Sequence, residues 1–116
     1  MSTARPIQSD DAAIDAALRA LADGNRRRIL AHVRERPLAV GELADRIDIT
    51  QQAVSHHLRA LRTAGLVTEQ RAGTRHLFAV RSDGFDAVRH YLDDFWPGHL
   101  ATLKSAVEAR AVVDDE

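Results

Sequence analysis

No cysteine occurs among the 116 residues. That excludes a disulfide framework, a thiolate metal site and redox sensing through sulfur, and it suits a reducing, cytoplasmic setting. Long hydrophobic runs are missing too: no stretch has the length a bilayer crossing needs. The start, Met1–Asp11, is polar with Arg5, Pro6, Asp10 and Asp11, so neither a signal peptide nor a membrane span is expected. The six glycines are scattered and form no phosphate-cradling loop. Nucleophile and base do not come together either. Ser55, His56 and His57 are adjacent, but neighbours on a helix point ~100° apart and do not face one another. A protein that is not an enzyme and holds no cofactor is expected.

An overall positive charge is also lacking, since the formal net charge is -1. Its distribution is uneven. Residues 50–81 carry five basic and one acidic side chains, whereas residues 82–116 carry three and eight. A basic middle between acidic ends fits a surface that faces phosphates, because only that surface requires positive potential.

Length points to one domain, expected over residues 12–110, between a flexible start at 1–11 and an acidic tail at 111–116. In Ala12 to Ala22, residues Ile14, Ala17, Leu18 and Leu21 recur at helical steps, with Asp10 or Asp11 as cap. After Asp23-Gly24-Asn25 a second helix is expected over 26–36, striped by Ile29, Leu30 and Val33 and stopped by Pro37. A short third helix, 41–47, places Leu43, Ala44 and Ile47 inward. Asp48-Ile49-Thr50 is then a turn, and Thr50 caps a fourth helix over 51–63 with Val54, Leu58 and Leu61 inside and Gly65 closing it.

The next stretch changes in kind. Leu66-Val67-Thr68 and Arg75 to Val80 are β-prone on either side of Arg71-Ala72-Gly73-Thr74, which reads as a hairpin turn. From Phe85 onward Val88, Leu92, Phe95, Leu100, Leu103 and Val107 predict a long C-terminal helical region, interrupted at Pro97. Its aromatic residues Phe85, Tyr91, Phe95 and Trp96 suit the core of a dimer, or the lining of a small-molecule pocket between subunits. The fold class is therefore mainly α with a small β-hairpin wing, a winged helix-turn-helix.

Two helices joined by a three-residue turn, the second amphipathic and capped, form the unit that places a recognition helix in the major groove. Opposite Val54, Leu58 and Leu61 stand Gln52, His56, Arg59 and Thr63, with Gln51 and Ser55 on the flanks and no acid in residues 50–63. Glutamine can bond adenine at two atoms, arginine can bond guanine at two, and serine or histidine can donate or accept. Arg71, Thr74 and Arg75 cluster around the hairpin tip, where a wing meets phosphates or enters a minor groove. The candidate DNA-binding set is thus Gln51, Gln52, Ser55, His56, Arg59, Arg71, Thr74 and Arg75. Arg26, Arg27 and Arg28 oppose the dipole of the second helix, a cost that phosphates or acidic partners would offset. The competing reading is a winged-helix module that binds another protein. Such a module would be expected to lose the polar face or to carry acids on it.

Leu21-Ala22-Asp23-Gly24-Asn25-Arg26-Arg27-Arg28-Ile29-Leu30, Val40-Gly41-Glu42-Leu43-Ala44, Gln52 to Leu58, Leu61 and Ala64-Gly65-Leu66-Val67 together resemble the ArsR-type winged helix-turn-helix regulators, over roughly residues 14–108. Gly24-Asn25 departs from the proline and small polar residue frequent there. The resemblance implies a homodimer that dimerises through its first and last helices, double-stranded DNA with two half-sites as its target, and repression often released by an effector, whose identity this sequence does not give. It also implies what is missing. The family's cysteine pair on the third helix is replaced by Glu42-Leu43-Ala44-Asp45-Arg46. The carboxylate and histidine pattern of the last helix is not met either, with Val88 and Thr102 at ligand places. No metal site is expected: His90, Asp93, Asp94 and His99 read first as exposed polar residues near an interface, and are candidates for zinc or nickel only where a second subunit supplies more ligands, His90 lying three and four residues before the aspartates.

Overall fold

The computed structural model describes the backbone of residues 4–95 and 104–110, with side chains from residue 11 onward in the first span. Helix α1 (Ala4–Leu21), α2 (Gly24–Glu35), α3 (Val40–Ile47) and α4 (Gln51–Thr63) precede a hairpin of β1 (Val67–Ala72) and β2 (Arg75–Val80), and α5 (Asp83–Asp93) follows. Residues 104–110 are helical as well.

α1 starts eight residues before the expected Ala12, so a helix occupies residues 4–11 where a flexible start was expected. Pro6 does not prevent this, because it sits in the first turn, where a backbone N–H has no intrahelical partner to lose. The expected stripe on α1 also divides: Ala17 and Ala20 are buried and Ile14 and Leu21 are partly covered, whereas Leu18 is exposed. Alanine methyls allow α1 to lie close on the core without the larger side chain. α2 begins at Gly24, because Asp23 is its cap and accepts from the N–H groups of Asn25 (2.8 Å) and Arg26 (3.1 Å). Those bonds hold the Asp23 carboxyl below its usual range, that from Arg26 contributing most.

The core joins Ile29, Leu30 and Val33 of α2, Leu38, Leu43, Ala44 and Ile47 around α3, Val54, Leu58 and Leu61 of α4, and Leu66 and Val67 after it. Each large side chain removed from water there contributes about 1.5–3 kcal/mol. No polar side chain is buried with them among the described residues. α4 ends in a Schellman arrangement: Ala64 is the cap, Gly65 takes φ +76°, and the N–H groups of Gly65 and Leu66 bond the carbonyls of Arg62 (3.0 Å) and Leu61 (2.9 Å).

The hairpin is longer and tighter than expected. Its register runs from Val67 opposite Val80 to Ala72 opposite Arg75, so Arg71 lies in β1 and only Gly73-Thr74 form the turn. Leu38 adds an isolated antiparallel bridge to β2. Its N–H and C=O pair with those of Phe78 at 3.0 and 2.8 Å, fastening the wing to the link between α2 and α3. α5 stops at Asp93, where a continuous region was expected, and a turn carries the Phe95 N–H onto the Leu92 carbonyl (3.0 Å). The expected kink at Pro97, the contribution of Trp96, Leu100 and Leu103, and the acidic tail lie outside the described residues.

Candidate nucleic-acid interface

α3 and α4 are connected by Asp48-Ile49-Thr50, with Asp48 in the left-handed region at φ 59°, ψ 49°. This sharp turn is what sets α4 across α3 while Leu43, Ala44, Ile47, Val54, Leu58 and Leu61 fill the space between them. Thr50 Oγ1 accepts from the Ala53 N–H at 3.0 Å, so the N-terminal end of α4 has a fixed direction. With the apolar side of α4 buried, Gln51, Gln52, His56 and Arg59 are left exposed, and Ser55 is half-buried. Gln51 turns toward Gly41 of α3, where even an added Cβ would stand at ordinary contact distance, 3.5 Å from the Gln51 side-chain nitrogen. Ser55 and Arg59 line the cleft between α4 and the wing together with Val40 and Phe78.

Arg71, Thr74 and Arg75 are all exposed on the hairpin. Arg75 is engaged within the molecule: its guanidinium meets the Glu42 carboxylate of α3 at 2.9 Å. Glu42 also accepts from the Ala39 N–H at 2.9 Å. That bond first, and the neighbouring arginines after it, keep the Glu42 carboxyl below its usual range. Arg71 takes part in a longer chain. Glu69, the acid within residues 50–81, accepts from Arg62 of α4 at 2.9 Å and from His76 Nδ1. With its proton on Nδ1, His76 presents Nε2 to the Arg71 guanidinium at 3.3 Å. The single acid of this basic segment therefore ties the wing to the recognition helix. Cross-strand placement of Arg71 opposite His76 was hidden from sequence reasoning, because it follows from a register that no local pattern specifies.

The arginines that open α2 find no acidic partner among the described residues. Arg27 donates to the Leu21 carbonyl (2.8 Å), and Arg26 Nε donates to His57 Nδ1 (3.2 Å). His57 must be neutral to accept that bond, and partial burial, followed by the charge of Arg26, lowers its pKa below 6.5 despite the opposing influence of Asp23. The sign of the consequence is fixed. The unfolded chain takes up the proton first as pH falls, so the stabilisation is complete above about 6.5 and is lost on acidification toward the folded-state value. Chemical denaturation of wild type and His57→Gln at about pH 7.5 and pH 5.5 is expected to show the larger acid loss in wild type, since glutamine accepts from Arg26 without titrating. Equal losses in the two proteins would show that His57 has no part in the pH dependence.

Three of the metal candidates, His90, Asp93 and Asp94, are among the described residues. His90 and Asp94 face the cleft between α1 and α5 with Asp11 and Tyr91, whereas Asp93 does not line it. Among the described residues no group of three or more histidine, aspartate or glutamate side chains is placed to hold a metal ion, and His99 lies outside them.

Comparison with known proteins agrees with this architecture. A helix-turn-helix domain family model matches residues 21–70, which begin at the end of α1 and finish in β1. The HTH-type transcriptional regulator Rv2034 of Mycobacterium tuberculosis is 48% identical over 95 residues, covering 82% of this chain and 89% of that one. The HTH-type transcriptional repressor SmtB of the same species is 38% identical over 82 residues, covering 66% of this chain and 61% of its own. Among solved structures, an ArsR-like transcriptional regulator from Rhodococcus sp. RHA1 superposes with a TM-score of 0.69 at 26% identity, over 84% of this chain and 93% of that one. With the three-residue turn between α3 and α4, the capped recognition helix and the hairpin wing in place, the chain belongs to the ArsR family of winged helix-turn-helix transcriptional regulators.

Proposed function

We propose that this protein is a homodimeric repressor that binds double-stranded DNA in a sequence-specific manner, with α4 in the major groove and the 71–75 hairpin against the backbone. The observation that carries the reading is the outer face of α4. Gln52, His56 and Arg59 stand exposed there, no carboxylate shares the helix, and the cap and the buried inner face fix the helix direction. Base edges in a major groove are read by such donors and acceptors on a rigid helix. Dimerisation is supported by the large apolar side chains left uncovered on α1, on α5 and in the turn after it, namely Leu18 at 46%, Tyr91 at 44%, Leu92 at 40% and Phe95 at 63% exposure. Leu18 on α1 and the other three around the end of α5 supply apolar surface that a second copy would cover. A relative named as a repressor supports the direction of regulation.

Fluorescence anisotropy of the protein with its upstream promoter fragment and with a shuffled duplex tests this. Wild type is expected to prefer the promoter fragment, and Arg59→Ala to weaken that binding by about thirtyfold or more, since a homodimer loses two arginine–base contacts of about 1–3 kcal/mol each. Undiminished affinity in Arg59→Ala would remove α4 from the interface. Absence of binding to either duplex would favour the protein-binding module.

A further inference from the structure

The recognition helix has two flanks, and they differ. On one, Ser55, Arg59 and Arg62 meet Val40 and Phe78 beside the wing. On the other, α4 borders an open groove of about 340 Å³ against α1 and α2, whose rim carries the guanidinium groups of Arg19, Arg26 and Arg59 together with the His56 imidazole. The rest of its lining is Ala16, Ala20, Ala60, Ala64 and Thr63, side chains too short to obstruct it. No carboxylate lines this groove.

The side chains of this rim are available. Among the described residues Arg19, Arg59 and His56 have no hydrogen-bonded or ionic partner, and Arg26 engages only its Nε, on His57. Around the wing Arg62, Arg75 and Arg81 are each matched by a carboxylate, and Arg71 meets His76. A helix seated in a major groove has a phosphate strand on either side of it. The wing stands along one flank, and the groove between α1, α2 and α4 is the corresponding position on the other. We propose that this groove, with Arg19 and Arg26 as its sequence-independent contacts, seats the second phosphate strand of the DNA. The short floor permits close approach, and its apolar atoms strengthen the field of the rim charges. The assignment rests on the DNA-binding reading above and adds to it a contact surface formed by α1 and α2.

Arg19→Ala, Arg19→Lys and wild type, all full-length, should be compared by anisotropy over a range of salt on promoter and shuffled duplexes. For Arg19→Ala the slope of log affinity against log salt is expected to become shallower by about 2, one contact from each protomer, with affinity for both duplexes falling by the same factor. Arg19→Lys is expected to restore the slope, because a point charge suffices for a phosphate. An unchanged slope in Arg19→Ala overturns the proposal, and so does a loss confined to the promoter duplex, which would make Arg19 a base-reading residue. Calorimetric titration with pyrophosphate separates the other source of the same chemistry. Tight binding that Arg19→Ala abolishes, beside an unchanged DNA slope, would assign the groove to a free anion and overturn the DNA contact. Wild type that binds neither duplex at any salt would instead overturn the proposed function, and this surface with it.

Discussion

Replacing Gly84 with alanine is expected to lower the melting temperature by roughly 5–20 °C. On helix propensity alone the change should stabilise, since alanine is preferred over glycine by about 1 kcal/mol within a helix. Space decides otherwise. Gly84 is buried in the first turn of α5 against the corner where α4 passes into β1, and its N–H donates to the Gly65 carbonyl at 3.0 Å. A Cβ at this position would collide with the Ala64 carbonyl oxygen and stand 2.7 Å from Leu66 Cδ2 and 3.3 Å from the Gly65 carbonyl carbon. Two of those three neighbours are backbone, held by the Schellman bonds that close α4. The extra carbon can therefore be accommodated only by lifting α5 from the corner, and overpacking of this kind costs about 1–3 kcal/mol. Gly24→Ala supplies the control. A Cβ there meets only the Arg27 guanidinium at 3.8 Å, so that variant is expected to melt at or above the wild-type temperature. Thermal denaturation followed by circular dichroism checks both, and equal melting temperatures for the two variants would show that α5 is not seated on backbone at Gly84.

The contrast between those glycines also marks where sequence reasoning stops. The apolar stripes of α2, α3 and α4 were legible because burial follows the helical period: Ile29, Leu30, Val33, Leu43, Ile47, Val54, Leu58 and Leu61 are all in the core. Thr50 was legible as a cap for the same local reason. Gly84 read only as punctuation, because its neighbours Ala64 and Leu66 lie some twenty residues away in the chain. The Leu38–Phe78 bridge and the ion pair of Arg75 with Glu42 were hidden likewise, each joining segments more than thirty residues apart. At the interface the polar face of α4 could be seen from spacing alone. Which arginines are already engaged could not, since Arg62 and Arg75 look as free as Arg59 until Glu69 and Glu42 are placed beside them. α1 shows a third kind of difference. Its periodicity was correct, but the choice between Ala17 and Leu18 as the inward residue depends on how closely the helix approaches its neighbours.

Raising salt from about 50 to 200 mM is expected to weaken promoter binding by about a thousandfold or more, the value for a protein that neutralises some six to ten phosphates. The net charge of -1 does not oppose this, because only the surface that faces phosphates needs positive potential, and residues 50–81 carry five basic side chains and one acidic. Within each protomer Arg59 on α4, Arg71 on the wing, and Arg19 and Arg26 beside α1 are not paired with carboxylates among the described residues. Arg62 and Arg75 are, and each must exchange a carboxylate for a phosphate to contribute. An exposed pair holds them by no more than about 1 kcal/mol, so the exchange is feasible, but its net gain is small. Three to five phosphate contacts for each protomer therefore give a dimer slope of log affinity against log salt of about −5 to −9. Anisotropy titrations at four or five salt concentrations measure that slope directly. A value near −2 would mean that one contact from each subunit carries the electrostatics, leaving the wing and the α1 groove away from the backbone. A slope within the expected range, with the shuffled duplex nearly parallel to the promoter fragment, would assign the phosphates to affinity and leave discrimination to Gln52, His56 and Arg59.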